Sequence, residues 1–186
     1  MKIPFDTVYT SVFLVATEKG AVLLDCATTD DDVDRFLIPA LRVLGYEIDD
    51  IKDIVVTHNH DDHAGGLSRM LHYAPHIEVV SGVRPLLGEL EVYALPGHTN
   101  DMIGLLDTRT GTLISGDGLQ GAGVDKYRCC IENKQAYWNT LERIRHDERI
   151  LNVIFSHAYE PWFQDRIFGR AAVLEVLEEC KKYIEE

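Results

Sequence analysis

Long apolar runs, paired cysteines and positive charge are all scarce in this sequence. No stretch approaches the roughly 20 apolar residues a helix needs to cross a bilayer, so a membrane-spanning protein is not expected. Residues Met1 to Phe13 include Asp6 and lack both an apolar h-region and a small-residue cleavage site, so no signal peptide is expected. The four cysteines, Cys26, Cys129, Cys130 and Cys180, form no C-x-x-C pair, and the adjacent Cys129 and Cys130 have poor disulfide geometry. Free thiols in a reducing cytoplasm are the expectation. Only 18 basic side chains stand against 31 acidic ones, a formal net charge of −13. That field repels phosphate backbones and argues against a nucleic-acid partner. No repeat, low-complexity tract or linker interrupts the 186 residues, so residues 1–186 read as one domain. Apolar residues make up 46%, enough to bury a core and exclude disorder.

What is present follows two periods. Thr10 to Val15 and Ala21 to Leu24 are β-branched, apolar runs joined by Glu18-Lys19-Gly20, which predicts a hairpin. From Asp32, the apolar residues Val33, Phe36, Leu37, Ala40, Leu41 and Leu44 recur at helical spacing. Thr29 or Asp30 can cap that helix, Gly45 ends it, and Pro39 inside it should kink it or shift its start. Strands are predicted at Ile54 to Thr57, Ile77 to Val80, Leu90 to Leu95, Met102 to Leu106, Thr112 to Ser115 and Asn152 to Phe155. Helices are predicted from Asn133 to His146 and from about Arg166 to the end. Strands in runs with helices interspersed suggest helices packed outside stacked sheets.

The strand ending at Thr57 runs into His58-Asn59-His60-Asp61-Asp62-His63-Ala64-Gly65-Gly66. Each neutral imidazole offers one nitrogen lone pair and each carboxylate adds charge, a donor set suited to zinc, iron, manganese or nickel. Alternate residues share a face, so His58 and His60 should project to one side, with Asp62 and His63 past the turn. Gly65 and Gly66 allow a tight passage into the next helix. A solvated polar turn is the plain alternative, but such ligand clusters rarely arise without metal.

This segment resembles the H-x-H-x-D-H signature of the metallo-β-lactamase superfamily. Later segments resemble that family's further motifs in order: Pro96-Gly97-His98-Thr99, Ser115-Gly116-Asp117 and Phe155-Ser156-His157. Leu23-Leu24-Asp25 resembles its first motif, in which an aspartate supports the ligands without touching metal. The resemblance implies an α/β fold, a four-layer αββα sandwich with helices outside two packed sheets. It also implies two divalent metal ions, zinc foremost, with iron, manganese or nickel as alternatives. His58, His60 and His98 would hold the first ion, Asp62, His63 and His157 the second, and Asp117 would bridge them. A metal-bridging hydroxide would then hydrolyse the substrate, with Asp62 orienting it or carrying its proton to the leaving group.

Within that family, Asp117 stands where β-lactamases usually carry Cys or Ser, and flavodiiron-type oxidoreductases carry Glu where His60 stands. What remains is a small-molecule thioester, lactone or ester, as in the glyoxalase II branch. The runners-up are a mononuclear-iron persulfide dioxygenase and a non-catalytic metal-binding module. Lys126-Tyr127-Arg128, in a glycine-rich loop after Asp117, could grip an anionic substrate, although a solvated loop is the plainer reading. Tyr159 and Trp162 either line the pocket or cover the core. His72, His76 and His146 fall outside the motifs and are expected in surface or ordinary packing roles. Because the chain begins almost at the Thr10 strand, an open sheet edge is expected, and a homodimer would cover it. The terminal helix could cover that sheet instead.

Overall fold

The computed structural model describes residues 1–5, 8–86, 88–119, 131–157 and 165–185, and in it the first apolar run is divided. Strand β2 (Val8–Ser11) ends before Val12, and β3 (Phe13–Thr17) begins after it. β2 pairs antiparallel with β1 (Lys2–Phe5), so a strand precedes Tyr9, contrary to the expectation that the chain opens at Thr10. β1 and β2 form a sheet of their own, and β3 stays at the edge of the four-stranded sheet. The chain divides into two compact units, Met1–Gly82 with Leu86–Gly88, and Val83–Pro85 with Glu89–Glu186.

In the first unit, β3 forms the expected hairpin with β4 (Gly20–Leu24). Parallel pairing then adds β5 (Ile51–Val55) and β6 (Glu78–Val80), giving the order β3-β4-β5-β6. Parallel neighbours need a crossover connection. Between β4 and β5 it is α1 (Asp30–Asp32), a π turn (Val33–Leu37) and α2 (Ile38–Val43). The Thr29 side chain caps this run by accepting from the Asp32 amide at 3.2 Å. Pro39 has no N–H, and its ring crowds the carbonyl four residues back. The turn ahead of it widens, and the Ile38 amide reaches back to the Val33 carbonyl. The helix closes in a Schellman arrangement, with Tyr46 N–H on the Leu41 carbonyl at 2.9 Å and Gly45 N–H on the Arg42 carbonyl at 3.0 Å. Its inner face buries Val33, Leu37 and Leu41 with Leu23, Ile54 and Met70. Each such side chain contributes about 1.5–3 kcal/mol.

The register fixes where the chemistry goes. Leu24 lies beside Val55, so the segments after β4 and β5 leave the sheet at one edge. The Asp25 amide donates to the Val55 carbonyl at 2.9 Å, which prolongs the pairing by one residue. The segment carrying the histidines then folds into α3 (Asp61–Ala64) and α4 (Leu67–Tyr73).

The second unit holds a five-stranded sheet in the order β11-β10-β9-β8-β7, comprising β7 (Leu90–Ala94), β8 (Ile103–Asp107), β9 (Thr112–Ile114), β10 (Asn152–Ile154) and β11 (Arg166–Phe168). Only the β9–β10 pair is parallel. Helix α5 (Lys134–His146) is capped by Asn133, which accepts from the Ala136 amide at 3.0 Å. Helix α6 (Arg170–Glu185) buries Val173, Val176, Leu177 and Cys180 on one face, against a core that includes Tyr137, Leu141, Ile144 and Phe155. Charged pairs link the two helices, Lys181 to Glu142 and Arg145 to Glu178. The expected terminal helix from Arg166 is corrected: Arg166–Phe168 pairs antiparallel with β10, and the helix starts at Arg170. In this unit, too, pairing of Ile114 with Ile154 makes the segments after β9 and β10 leave together.

Candidate metal centre

In the first unit, His58 follows β5 after a short turn, and His60 caps the N-terminus of α3, which carries Asp62 and His63. His58, Asp62 and His63 are buried, whereas His60 is exposed. The His58 and His60 rings meet edge to face with centroids 4.4 Å apart, and Nε2 of His58 lies 2.8 Å from Nδ1 of His60. Nε2 of His63 lies 3.2 Å from Oδ2 of Asp62. The His58 and His63 ring centroids lie 4.3 Å apart, so the four side chains come together.

Beneath them sits Asp25, fully buried at the end of β4. Its Oδ1 accepts from the Thr57 amide at 2.7 Å, and its Oδ2 accepts from the Thr57 hydroxyl at 3.0 Å. Oδ2 also faces Nδ1 of His63 at 2.8 Å. Asp25 and Ala27 both hold positive φ, 65° and 70°, a conformation that costs a non-glycine residue free energy unless its surroundings impose it. Here they do: the Cys26 amide bonds the His63 carbonyl at 2.8 Å, and the Gly66 amide bonds the Ala27 carbonyl at 3.2 Å. These contacts explain the two glycines. A Cβ on Gly65 would stand 1.8 Å from the Thr28 carbonyl oxygen, and one on Gly66 would stand 2.1 Å from that of Cys26. Burial, reinforced by the Asp25 charge, pushes the Cys26 thiol well above its ordinary value, so it is no nucleophile.

The protons decide what this cluster offers. The Asp25 carboxylate only accepts, so Nδ1 of His63 carries the ring proton and Nε2 presents a lone pair toward Asp62. Two acceptors 3.2 Å apart repel unless a cation or a second proton lies between them. That donor set fits a divalent metal.

In the second unit, His98 follows the turn after β7, held by Asn133 N–H on the Gly97 carbonyl at 3.1 Å and Glu132 N–H on the His98 carbonyl at 3.3 Å. Asp117 and His157 leave β9 and β10 side by side, with Ser156 N–H on the Gly116 carbonyl at 3.3 Å. All three side chains are buried. Asp117 divides its oxygens between the two rings: Oδ1 lies 3.2 Å from Nε2 of His157, and Oδ2 lies 3.8 Å from Nε2 of His98.

His72, His76 and His146 are exposed, as expected. Lys126, Tyr127, Arg128, Cys129, Cys130, Tyr159 and Trp162 lie outside the described residues. Cys26 and Cys180 are free thiols, both buried. Among the described residues, no helix is long and apolar enough to cross a membrane. Sequence reasoning missed Thr57. Its one visible signal is its place between a buried strand and the histidines.

The fold is α/β on mixed sheets, and histidine and aspartate side chains that could hold a metal ion gather at its strand ends. Residues 5–83 match the family model of the metallo-beta-lactamase superfamily. The hydroxyacylglutathione hydrolase of Vibrio cholerae is 28% identical over 163 residues, covering 74% of this chain and 63% of that protein. Its counterpart from Vibrio campbellii is 30% identical over 151 residues, covering 66% of this chain and 58% of that protein. The chain thus spans less than two thirds of these relatives' length. Among solved structures, a metallo-beta-lactamase from Pontibacter korlensis shares the fold with a TM-score of 0.74 at 17% identity, over 100% of this chain and 93% of that one. Family model and relatives together support the metallo-β-lactamase superfamily for this chain, and the structural neighbours show the fold.

Proposed function

We propose that the protein is a metal-dependent hydrolase of a small-molecule thioester, lactone or ester. In this reading, His58, His60 and His98 hold one divalent ion and Asp62, His63 and His157 hold another, with Asp117 bridging and zinc the first choice. The observation that carries it is the Asp117 carboxylate, which turns one oxygen to His157 and the other to His98, the histidines assigned to different ions. The relatives named hydroxyacylglutathione hydrolase support the substrate class.

Two bound ions would supply a water acidified toward a pKa near 7 and a Lewis acid for the scissile carbonyl. The chain's own residues do the rest. Asp25 accepts a hydrogen bond from Nδ1–H of His63 and so turns the basic nitrogen outward. Asp62, beside that nitrogen, can orient the attacking water and pass its proton to the leaving group. The buried thiols Cys26 and Cys180 support a reducing, cytoplasmic setting.

The test is hydrolysis of a panel of thioesters, lactones and esters by zinc-loaded protein, with Asp117→Ala alongside. The proposal expects turnover in at least one class and a loss greater than about 100-fold in the variant, since even supporting residues cost about 10–100-fold. Near-normal turnover by Asp117→Ala would contradict it.

A further inference from the structure

We infer that Thr57 is a positioning residue that makes one carboxylate orient two metal ligands. The inference rests on the proposed reading for its assignment of His58 and His63 to different ions. Its grounds are a proton count at a wholly buried junction. Asp25 and Thr57 are each 0% exposed, so no bulk water competes for their hydrogen bonds. A hydroxyl has one proton to give, and that of Thr57 goes to Oδ2 of Asp25 at 3.0 Å. Toward its other neighbours the Thr57 oxygen can therefore only accept. Nδ1 of His58 lies 3.1 Å away and must be the donor. Nδ1 of His63 is 3.3 Å from the same oxygen but 2.8 Å from Oδ2 of Asp25, so its proton goes to the carboxylate.

His58 is thus fixed with its proton on Nδ1 and its lone pair on Nε2, the nitrogen that lies 2.8 Å from His60. Asp25 sets His63 directly and His58 through the Thr57 hydroxyl. The Thr57 amide, donating to Oδ1 at 2.7 Å, holds the other carboxylate oxygen. Valine in place of Thr57 keeps the shape and removes the link to His58, while leaving the direct bond from His63 to Asp25. Serine keeps the link.

The test reads tautomers and zinc in the full-length, zinc-loaded protein. Long-range proton–nitrogen spectra of the histidine rings should show His58 and His63 both protonated on Nδ1. In Thr57→Val, the His58 Nδ1 proton should lose its protection from exchange while that of His63 keeps it. Chelator competition should then release one zinc about 10–100-fold more readily than the other, and Thr57→Ser should restore the wild-type pattern. His58 protonated on Nε2 in the wild type, or unchanged zinc release in Thr57→Val, would overturn the inference. If Thr57→Val does not fold, the wild-type tautomer and the zinc release of Thr57→Ser decide. Should the wild type retain no zinc, the dinuclear reading fails, and the ring spectra still judge the role of Thr57.

Discussion

Replacing Gly65 with alanine sets two effects of opposite sign against each other. The residue closes α3 with φ −61° and ψ −30°, ordinary helical backbone. Helix propensity alone favours alanine there by about 0.8–1 kcal/mol. The added Cβ would meet the Thr28 carbonyl oxygen at 1.8 Å and the Asp61 carbonyl oxygen at 2.6 Å, where ordinary contact begins at 3.4 Å. Both obstacles are backbone, so no rotamer change relieves them. Overpacking of this kind costs about 1–3 kcal/mol and occasionally more. With backbone on both sides, the upper end applies. The clash should win, leaving a net loss of about 2 kcal/mol or more. At about 2–4 °C per kcal/mol for a chain of this size, Tm should fall by about 4–8 °C. Relief of the clash must shift the turn that carries Asp62 and His63, so zinc affinity should fall as well. Gly82→Ala is the control, because its Cβ meets nothing within 4 Å, and its effect should stay within about 0.5 kcal/mol. A Gly65→Ala protein that melts at or above the wild-type temperature would refute the reasoning.

Three further outcomes follow from the same geometry. Asp147, held by the Arg149 guanidinium at 2.9 and 2.8 Å, has its carboxyl below the ordinary value of 3.8. Its stabilisation is therefore complete above that value and is lost as pH falls through the lower folded one. Asp147→Ala should cost about 1 kcal/mol at neutral pH, since the guanidinium is half exposed and screened, and nothing in strong acid; urea unfolding at both pH values measures this. Hydrolysis should rise through a single pKa near 7, as metal-activated water requires, and a pH–rate profile falling over that range with metal retained would point to another nucleophile. Chelation should lower Tm by calorimetry, because ions binding only the folded chain stabilise it by about 2.7 kcal/mol at a hundredfold excess over Kd.

Local chemistry was legible in the sequence, and long-range pairing was not. Three histidines within six residues announce themselves, and β4 and α5 lie within a residue of where their patterns put them, whereas β5 starts three residues before its expected Ile54 and ends two before Thr57. β1 was hidden by Pro4, which cannot donate to a ladder and argues against a strand. It is tolerated there because β1 pairs with β2 alone. β11 is only three residues long and merges in sequence with the helical pattern of α6, and its identity comes from β10. Thr57 was silent for the same reason. Its partner Asp25 lies 32 residues away in the chain and reaches it only because β4 and β5 run parallel in register. The clasp of Asp34 by Arg69 and Tyr73 likewise joins residues 35 and 39 apart. No periodicity or motif records such meetings.

The central claim, a hydrolase built on two metal ions, is tested most directly by elemental analysis of protein purified without added metal, with substrate turnover followed on the same sample. Two divalent ions per chain, with thioester, lactone or ester hydrolysis that disappears when they are removed, is the predicted result. One tightly held iron per chain, with oxygen consumed on a persulfide and no hydrolysis, would contradict it.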